Sequence, residues 1–111
     1  STGTRFDLKQ GEGGLVDLEF LLQYLVLRES APRPALQSPR ETPALIEALK
    51  AEAVFDSDIA GRLLASHAVL VAAGLRCTLD RRERIVSPDA AIEGARSVVS
   101  EAVRRFGISP D

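Results

Sequence analysis

An all-α fold is what the sequence predicts, and three observations predict it. Apolar residues recur at helical spacing from residue 14 onward, proline and glycine stand where helices must start or stop, and no run alternates as a strand. Short turns between the helices favour antiparallel neighbours, so the expected architecture is a four-helix antiparallel bundle. The 111 residues, 45% of them hydrophobic, suffice to fill one small core.

The first helix spans roughly 14–29 by its apolar pattern. Leu15, Val16, Leu18, Phe20, Leu21, Leu22, Leu25, Val26 and Leu27 cover most of its circumference, which predicts the most buried element of the domain. Residues 30–42 carry Pro32, Pro34 and Pro39 among polar spacers and read as a crossing loop. Thr42-Pro43 supplies a capping hydroxyl and a first-turn proline for a short second helix, with Leu45, Ile46 and Leu49 facing the core. The third helix, near 57–78, aligns Ile59, Leu63, Leu70 and Cys77 in a stripe widened by Leu64, Val71 and Leu75. At 1.5 Å per residue it runs roughly 30 Å. After a charged turn over 80–84, Ser87-Pro88 repeats the start signal of the second helix. Ile92, Ala95, Val99, Ala102, Val103 and Phe106 then keep helical spacing until Gly107.

Composition narrows the function. A formal charge of −2 argues against a dedicated nucleic-acid binder, which needs a basic face to neutralise phosphates. One cysteine, Cys77, excludes an internal disulfide framework, and with one histidine, His67, it builds no closed zinc site. Cys77 reads as a small hydrophobe and His67 as a hydrogen-bonded core or edge histidine. No apolar run of membrane-spanning length and no secretory signal stand out, so the expectation is a soluble, cytoplasmic chain with no membrane partner.

The feature that points to a site is the segment Phe6-Asp7-Leu8-Lys9-Gln10-Gly11-Glu12-Gly13-Gly14, joined directly to the first helix. Three glycines within four residues permit positive φ and close backbone approach. The unpaired N–H groups at the helix start, with Lys9 beside them, form one route to binding a phosphate or carboxylate. The other reading is a glycine-rich lead-in to a helix, with Asp17 and Glu19 complementing the helix dipole. Neither a P-loop ending nor a complete dinucleotide fingerprint is present. Asp17 and Glu19 point about 200° apart, so they do not share one ligand. One faces a catalytic lobe while the other holds the motif loop or a neighbouring helix, and the spacing leaves the assignment open.

Asp7 to Gly14, followed by Asp17-Leu18-Glu19-Phe20 and Gln23-Tyr24-Leu25-Val26-Leu27, resembles the junction between catalytic lobe and helical domain in bacterial glutamine synthetase adenylyltransferases. These are bifunctional enzymes that add and remove adenylyl groups. The specific match covers 6–28, and its Leu-Lys-Gln form resembles the adenylylating, C-terminal half. The resemblance implies a division into a motif and linker, 1–14, and a helical bundle of the nucleotidyltransferase-associated type, 15–111. It implies that Lys9, Gly11, Gly13, Gly14, Asp17 and Glu19 lie near the nucleotide or its phosphates. It places the catalytic residues in another lobe, so that this chain alone is inactive.

For the full-length enzyme the resemblance implies ATP and Mg²⁺, with none expected in this chain. The implied partners are glutamine synthetase, a PII signal protein and the enzyme's own catalytic lobe. Asp56-Ser57-Asp58 imitates the paired aspartates that hold Mg²⁺ in such lobes. The upstream Gly-Ser and strand context are absent, however, and the aspartates suit an N-cap and a first-turn acid. The chain departs from the family at His67-Ala68-Val69-Leu70-Val71, where an aromatic residue followed by a Leu-Arg pair is expected. Two alternatives stand beside this reading. One is the de-adenylylating half or a uridylyltransferase relative; the other is a non-enzymatic interaction module using the turn with Arg81, Arg82 and Arg84. With its partner lobe elsewhere, the segment 1–13 is expected to be extended and mobile in this chain, or ordered only by a neighbouring molecule.

Overall fold

The computed structural model describes residues 5–37 and 40–107. The expected linker at 1–4, the Pro39 part of the crossing loop and the domain end at 108–111 lie outside the described residues. The chain is mostly helical: α1 (Leu15–Glu29), α2 (Thr42–Ala51), α3 (Ser57–Leu79) and α4 (Ala90–Phe106) occupy the expected places. Two short strands, β1 (Phe6–Asp7) and β2 (Ile85–Val86), pair antiparallel with Phe6 opposite Val86 and Asp7 opposite Ile85. Sequence alternation does not reveal strands of two residues.

Helix starts follow the chemistry of their caps, with two corrections. Asp56 accepts from the Ile59 N–H at 2.8 Å, as a capping aspartate should. At α2 the N-cap is Glu41, without a side-chain cap bond, so Thr42 lies inside the helix and its hydroxyl does not cap it. At α4 the cap is not Ser87 but Asp89, whose carboxylate accepts from the Ile92 N–H at 2.9 Å. A carboxylate in that place also meets the positive helix end, which a serine two residues earlier cannot do.

Helix ends use left-handed residues where no glycine is available. Ala53 has φ +63° and Arg81 has φ +56°. In each case the following N–H reaches back to close the last turn, Val54 to the Leu49 carbonyl and Arg82 to the Cys77 carbonyl. The charged turn over 80–84 is therefore part of the ending of α3.

One core gathers all four helices, with Leu18, Leu22, Leu25, Ile46, Leu49, Leu63, Leu70 and Val99 at its centre. Loop residues complete it. Leu36, in a 3-10 turn over Pro34–Gln37, is buried, and Phe55 stacks edge-on to Phe106 with centroids 5.2 Å apart. The expectation that the first helix is the most buried is not met. Leu18, Leu21, Leu22 and Leu25 face inward, but Phe20 and Leu27 are 70% and 79% exposed. α3 buries more of its residues than α1, although Val71 and Leu75 on its flank are exposed. α3 also corrects the reading that no membrane-length apolar run exists, because it is long and apolar enough by length and composition. Its inward face, including Ile59, Leu63, Leu70 and Cys77, is packed in this core.

Candidate functional site

The glycine segment owes its shape to the helices packed beneath it. Phe6 and Leu8 are buried at 2% and 0% exposure and belong to the same core as the helices. Burying two such side chains is worth on the order of 3–6 kcal/mol, enough to offset the entropy of fixing several residues. The expectation of a mobile strand lacking a partner in this chain is therefore corrected. It underweighted Phe6 and Leu8, which alternate with Asp7 and enter the core from outside any helical period.

Hydrogen bonds fix the rest. The Leu8 N–H donates to the Arg84 carbonyl at 2.8 Å, and the Arg5 guanidinium donates to the Ile85 carbonyl at 2.7 Å. The Asp7 carboxylate accepts from the N–H groups of Lys9 and Gln10, both at 2.9 Å, and its carbonyl accepts from Gly11. Asp7 thus acts as the local organiser of the turn.

Each glycine is required by a close approach. Gly13 has φ +80°, and a β-carbon there would overlap the Arg96 carbonyl of α4. A β-carbon at Gly11 would meet the Asp7 carbonyl and the Phe6 ring at 2.7 Å, and one at Gly14 would meet the Leu8 carbonyl at 2.7 Å. All three glycines are thus explained by contacts within the chain.

The backbone N–H groups that an anion would need are engaged too. Leu15 donates to the Leu8 carbonyl at 3.0 Å and Val16 to the Lys9 carbonyl at 2.9 Å, while Gly14 donates to Gly11 at 2.8 Å. Gly13 donates to the Asp17 carboxylate at 2.8 Å. Of the two readings open in the sequence, the structure takes the helix lead-in, and the anion cradle of free backbone donors is not available. Asp17 holds the loop, whereas Glu19 is exposed and lies near His67. Lys9 and Gln10 remain at the surface of the turn with exposed side chains.

Arg96 is the residue that sequence reading missed. Its guanidinium stacks 4.0 Å from the centroid of Phe6, donates to the Glu12 carbonyl at 3.3 Å and lies 3.7 Å from Glu93. A cation over an aromatic face contributes about 0.5–2 kcal/mol, so Arg96 fastens the segment to α4. It stands at the edge of the apolar stripe, four residues after Ile92 and three before Val99, where an arginine reads as a stripe boundary. Nothing short of the fold shows what it covers.

A cleft of about 410 Å³ beside the segment is lined by Glu12, Glu93, Arg96, Ser97, Ser100 and Arg104. Its guanidiniums are already paired, Arg96 with Glu93 and Arg104 with Glu101. Among the described residues no three His, Cys, Asp or Glu side chains converge as metal ligands. Asp56, the tempting metal ligand, is committed as a cap and Asp58 lies near Arg62. These residues do not fit a Mg²⁺ site. Burial pushes the His67 imidazole below its ordinary value, and the Glu19 carboxylate offsets part of that effect. Cys77 is buried. In the arginine turn, Arg82 pairs with Asp80, and Arg84 lends its carbonyl to Leu8.

Comparison with known proteins adds the last observation. No family model matches the chain. It is 49% identical over 109 residues, 98% of its length, to the bifunctional glutamine synthetase adenylyltransferase/adenylyl-removing enzyme of Xanthomonas axonopodis pv. citri. The enzyme of the same name from Stenotrophomonas maltophilia is 50% identical over 92% of the chain. That from Hahella chejuensis is 34% identical over 86%. The chain spans 10–12% of the length of these three relatives.

Proposed function

We propose that this chain, which is homologous to one segment of the bifunctional glutamine synthetase adenylyltransferase/adenylyl-removing enzymes, is the helical domain of the adenylylating half of such an enzyme. It is an antiparallel bundle of the nucleotidyltransferase-associated type that presents the glycine segment to a catalytic lobe. The observation that carries this reading is identity near one half over 98% of the chain. A positional role is supported by the site itself, whose turn is fixed by hydrogen bonds within the chain.

In the parent enzyme AMP passes from ATP to a tyrosine hydroxyl of glutamine synthetase, with Mg²⁺ held outside this chain and a PII signal protein among the regulators. Bound Mg²⁺ would stabilise charge on the transferred phosphate. The contribution of this chain is positional. Asp7, Asp17 and Arg96 hold the turn so that Lys9 projects from a fixed base toward the nucleotide. A cation so placed stabilises developing phosphate charge without reorganising at the moment of reaction. Gly11, Gly13 and Gly14 support it by allowing the turn to close on α4. The enzyme works in the cytoplasm, where its protein substrate is made.

The test is AMP incorporation into glutamine synthetase from labelled ATP and Mg²⁺. The full-length polypeptide should label the synthetase, the isolated chain should not, and Lys9→Ala and Gly13→Val should each lower labelling strongly in the full-length protein. Absence of transfer by the full-length polypeptide, or normal turnover in both variants, would overturn the reading.

A further inference from the structure

The large hydrophobic side chains left exposed among the described residues are Phe20, Leu27, Val71, Leu75 and Leu79, and every one stands on α1 or α3. On α3 the three recur at four-residue intervals and so share one flank. From Leu63 to Leu75 no Asp, Glu, Lys or Arg interrupts that helix. On α1, Phe20 and Leu27 are seven residues apart on a separate face, and Phe20 borders a cleft shared with Val103 and Gly107 rather than with α3. A groove of about 340 Å³ joins the base of α1 to α3, lined by Leu15, Val71, Gly74, Leu75, Thr78 and Arg84. α4 contrasts with the middle of α3, since its exposed residues include Glu93, Glu101, Arg104 and Arg105. An exposed apolar face bounded by polar surface marks an interaction site.

We propose that this α1/α3 face is where the nucleotidyltransferase lobe of the same polypeptide packs against the helical domain. The proposal rests on the reading that the chain is one segment of a longer adenylyltransferase. Two observations select this occupant. First, the face is continuous with the glycine segment. Leu15, in the groove, donates its N–H to the Leu8 carbonyl, Arg84 on the opposite wall accepts from the Leu8 N–H, and Val16 on the first turn of α1 bonds to Lys9. A body seated on the face therefore lies beside Lys9, as a nucleotide-holding lobe must. Second, the α3 wall of the groove carries no charged residue from Leu63 to Leu75, with Arg84 at the groove's edge, and so apolar a wall suits permanent packing, because obligate interfaces resemble a domain core whereas transient ones keep more polar surface. A substrate that docks and leaves, or a regulator, fits it less well. The relatives extend far beyond the matched segment, which is 12% of the length of the Xanthomonas enzyme, so the chain needed to cover the face is available.

The test compares thiol labelling at Val71→Cys and Leu75→Cys, both exposed and lining the groove, in the isolated chain and in the full-length polypeptide, read by peptide mass spectrometry. Glu47→Cys on exposed α2 serves as control, and Cys77, buried, contributes little background. Both face positions should label about tenfold or more slowly in the full-length protein, because a covered thiol reacts only on local opening, while the control stays within about twofold. Equal rates in the two proteins would overturn the proposal. So would protection already present in the isolated chain that grows with concentration, since a second copy would then be the occupant. AMP transfer measured on the same preparation separates the two ideas. Transfer with unprotected face positions sinks the docking face alone, whereas loss of transfer in the unsubstituted polypeptide sinks the catalytic reading of the lobe.

Discussion

Truncating Phe6 to alanine asks whether the glycine segment is part of the core or merely rests on it. The ring is 2% exposed, packs in the cluster that includes residues of all four helices, and carries the Arg96 guanidinium at 4.0 Å. Removing a buried aromatic ring costs about 3–5 kcal/mol, and the lost cation–π contact falls within or slightly above that range. Small domains are stable by about 5–15 kcal/mol, so the variant should lose a large share of its stability. With a urea dependence of roughly 1.5 kcal/mol/M, the unfolding midpoint should fall by about 2–3 M. Helical circular dichroism is the right signal, because it reports the bundle rather than the segment. Phe20→Ala is the matched control, removing the same ring from a site 70% exposed, and should change stability by no more than about 0.5 kcal/mol. Equal small effects from both substitutions would refute the claim that β1 is built into the core.

Two further outcomes follow from local geometry. Ala53 ends α2 with φ +63°, a conformation that costs a non-glycine residue about 1–2 kcal/mol, so Ala53→Gly should stabilise the chain by up to about 1 kcal/mol after the unfolded chain's added freedom is deducted. Urea unfolding checks it, and a destabilised variant would refute the assignment of this helix ending. His67 has its folded pKa lowered from 6.5 by burial, so the folded state resists the proton that the unfolded state accepts. That contribution is fully present above pH 6.5 and is lost as pH falls from there through the lower, folded pKa. His67→Gln should flatten stability over this window, and an unchanged slope would refute the attribution.

The four helices were legible because each carries its own period. Leu63 and Leu70, or Val99 and Ala102, repeat at the spacing of one helix face whatever the rest of the chain does. Asp56 was legible as a cap for the same local reason. The residues that were misread depend on distant partners. Phe6 and Leu8 are core residues only because β2 and α4, some eighty positions later, supply the other wall. Arg96 has meaning only through Phe6 and the Glu12 carbonyl. The glycines resembled a ligand cradle because close approach of backbone to backbone demands the same residue as close approach to a phosphate. Asp17 and Glu19 could be told to diverge, but only the fold shows that Gly13 takes the Asp17 carboxylate. Phe20 and Leu27 were assigned to the core by apolarity alone and are exposed, and the exposure of Val71 and Leu75, read as widening the α3 stripe, carries the proposed interface.

Native-state hydrogen exchange on the isolated chain tests most directly the central claim, that the bundle itself organises the glycine segment. The N–H groups of Leu8, Gly11, Gly13, Gly14, Leu15 and Val16 all donate to acceptors within the chain. They should exchange far more slowly than a free peptide, with Leu8 approaching the protection of α3 and α4, because its bond to Arg84 opens only when the core does. Exchange at free-peptide rates through residues 8–14, beside fully protected amides in α3 and α4, would contradict the account and return the segment to the status of a strand waiting for another lobe.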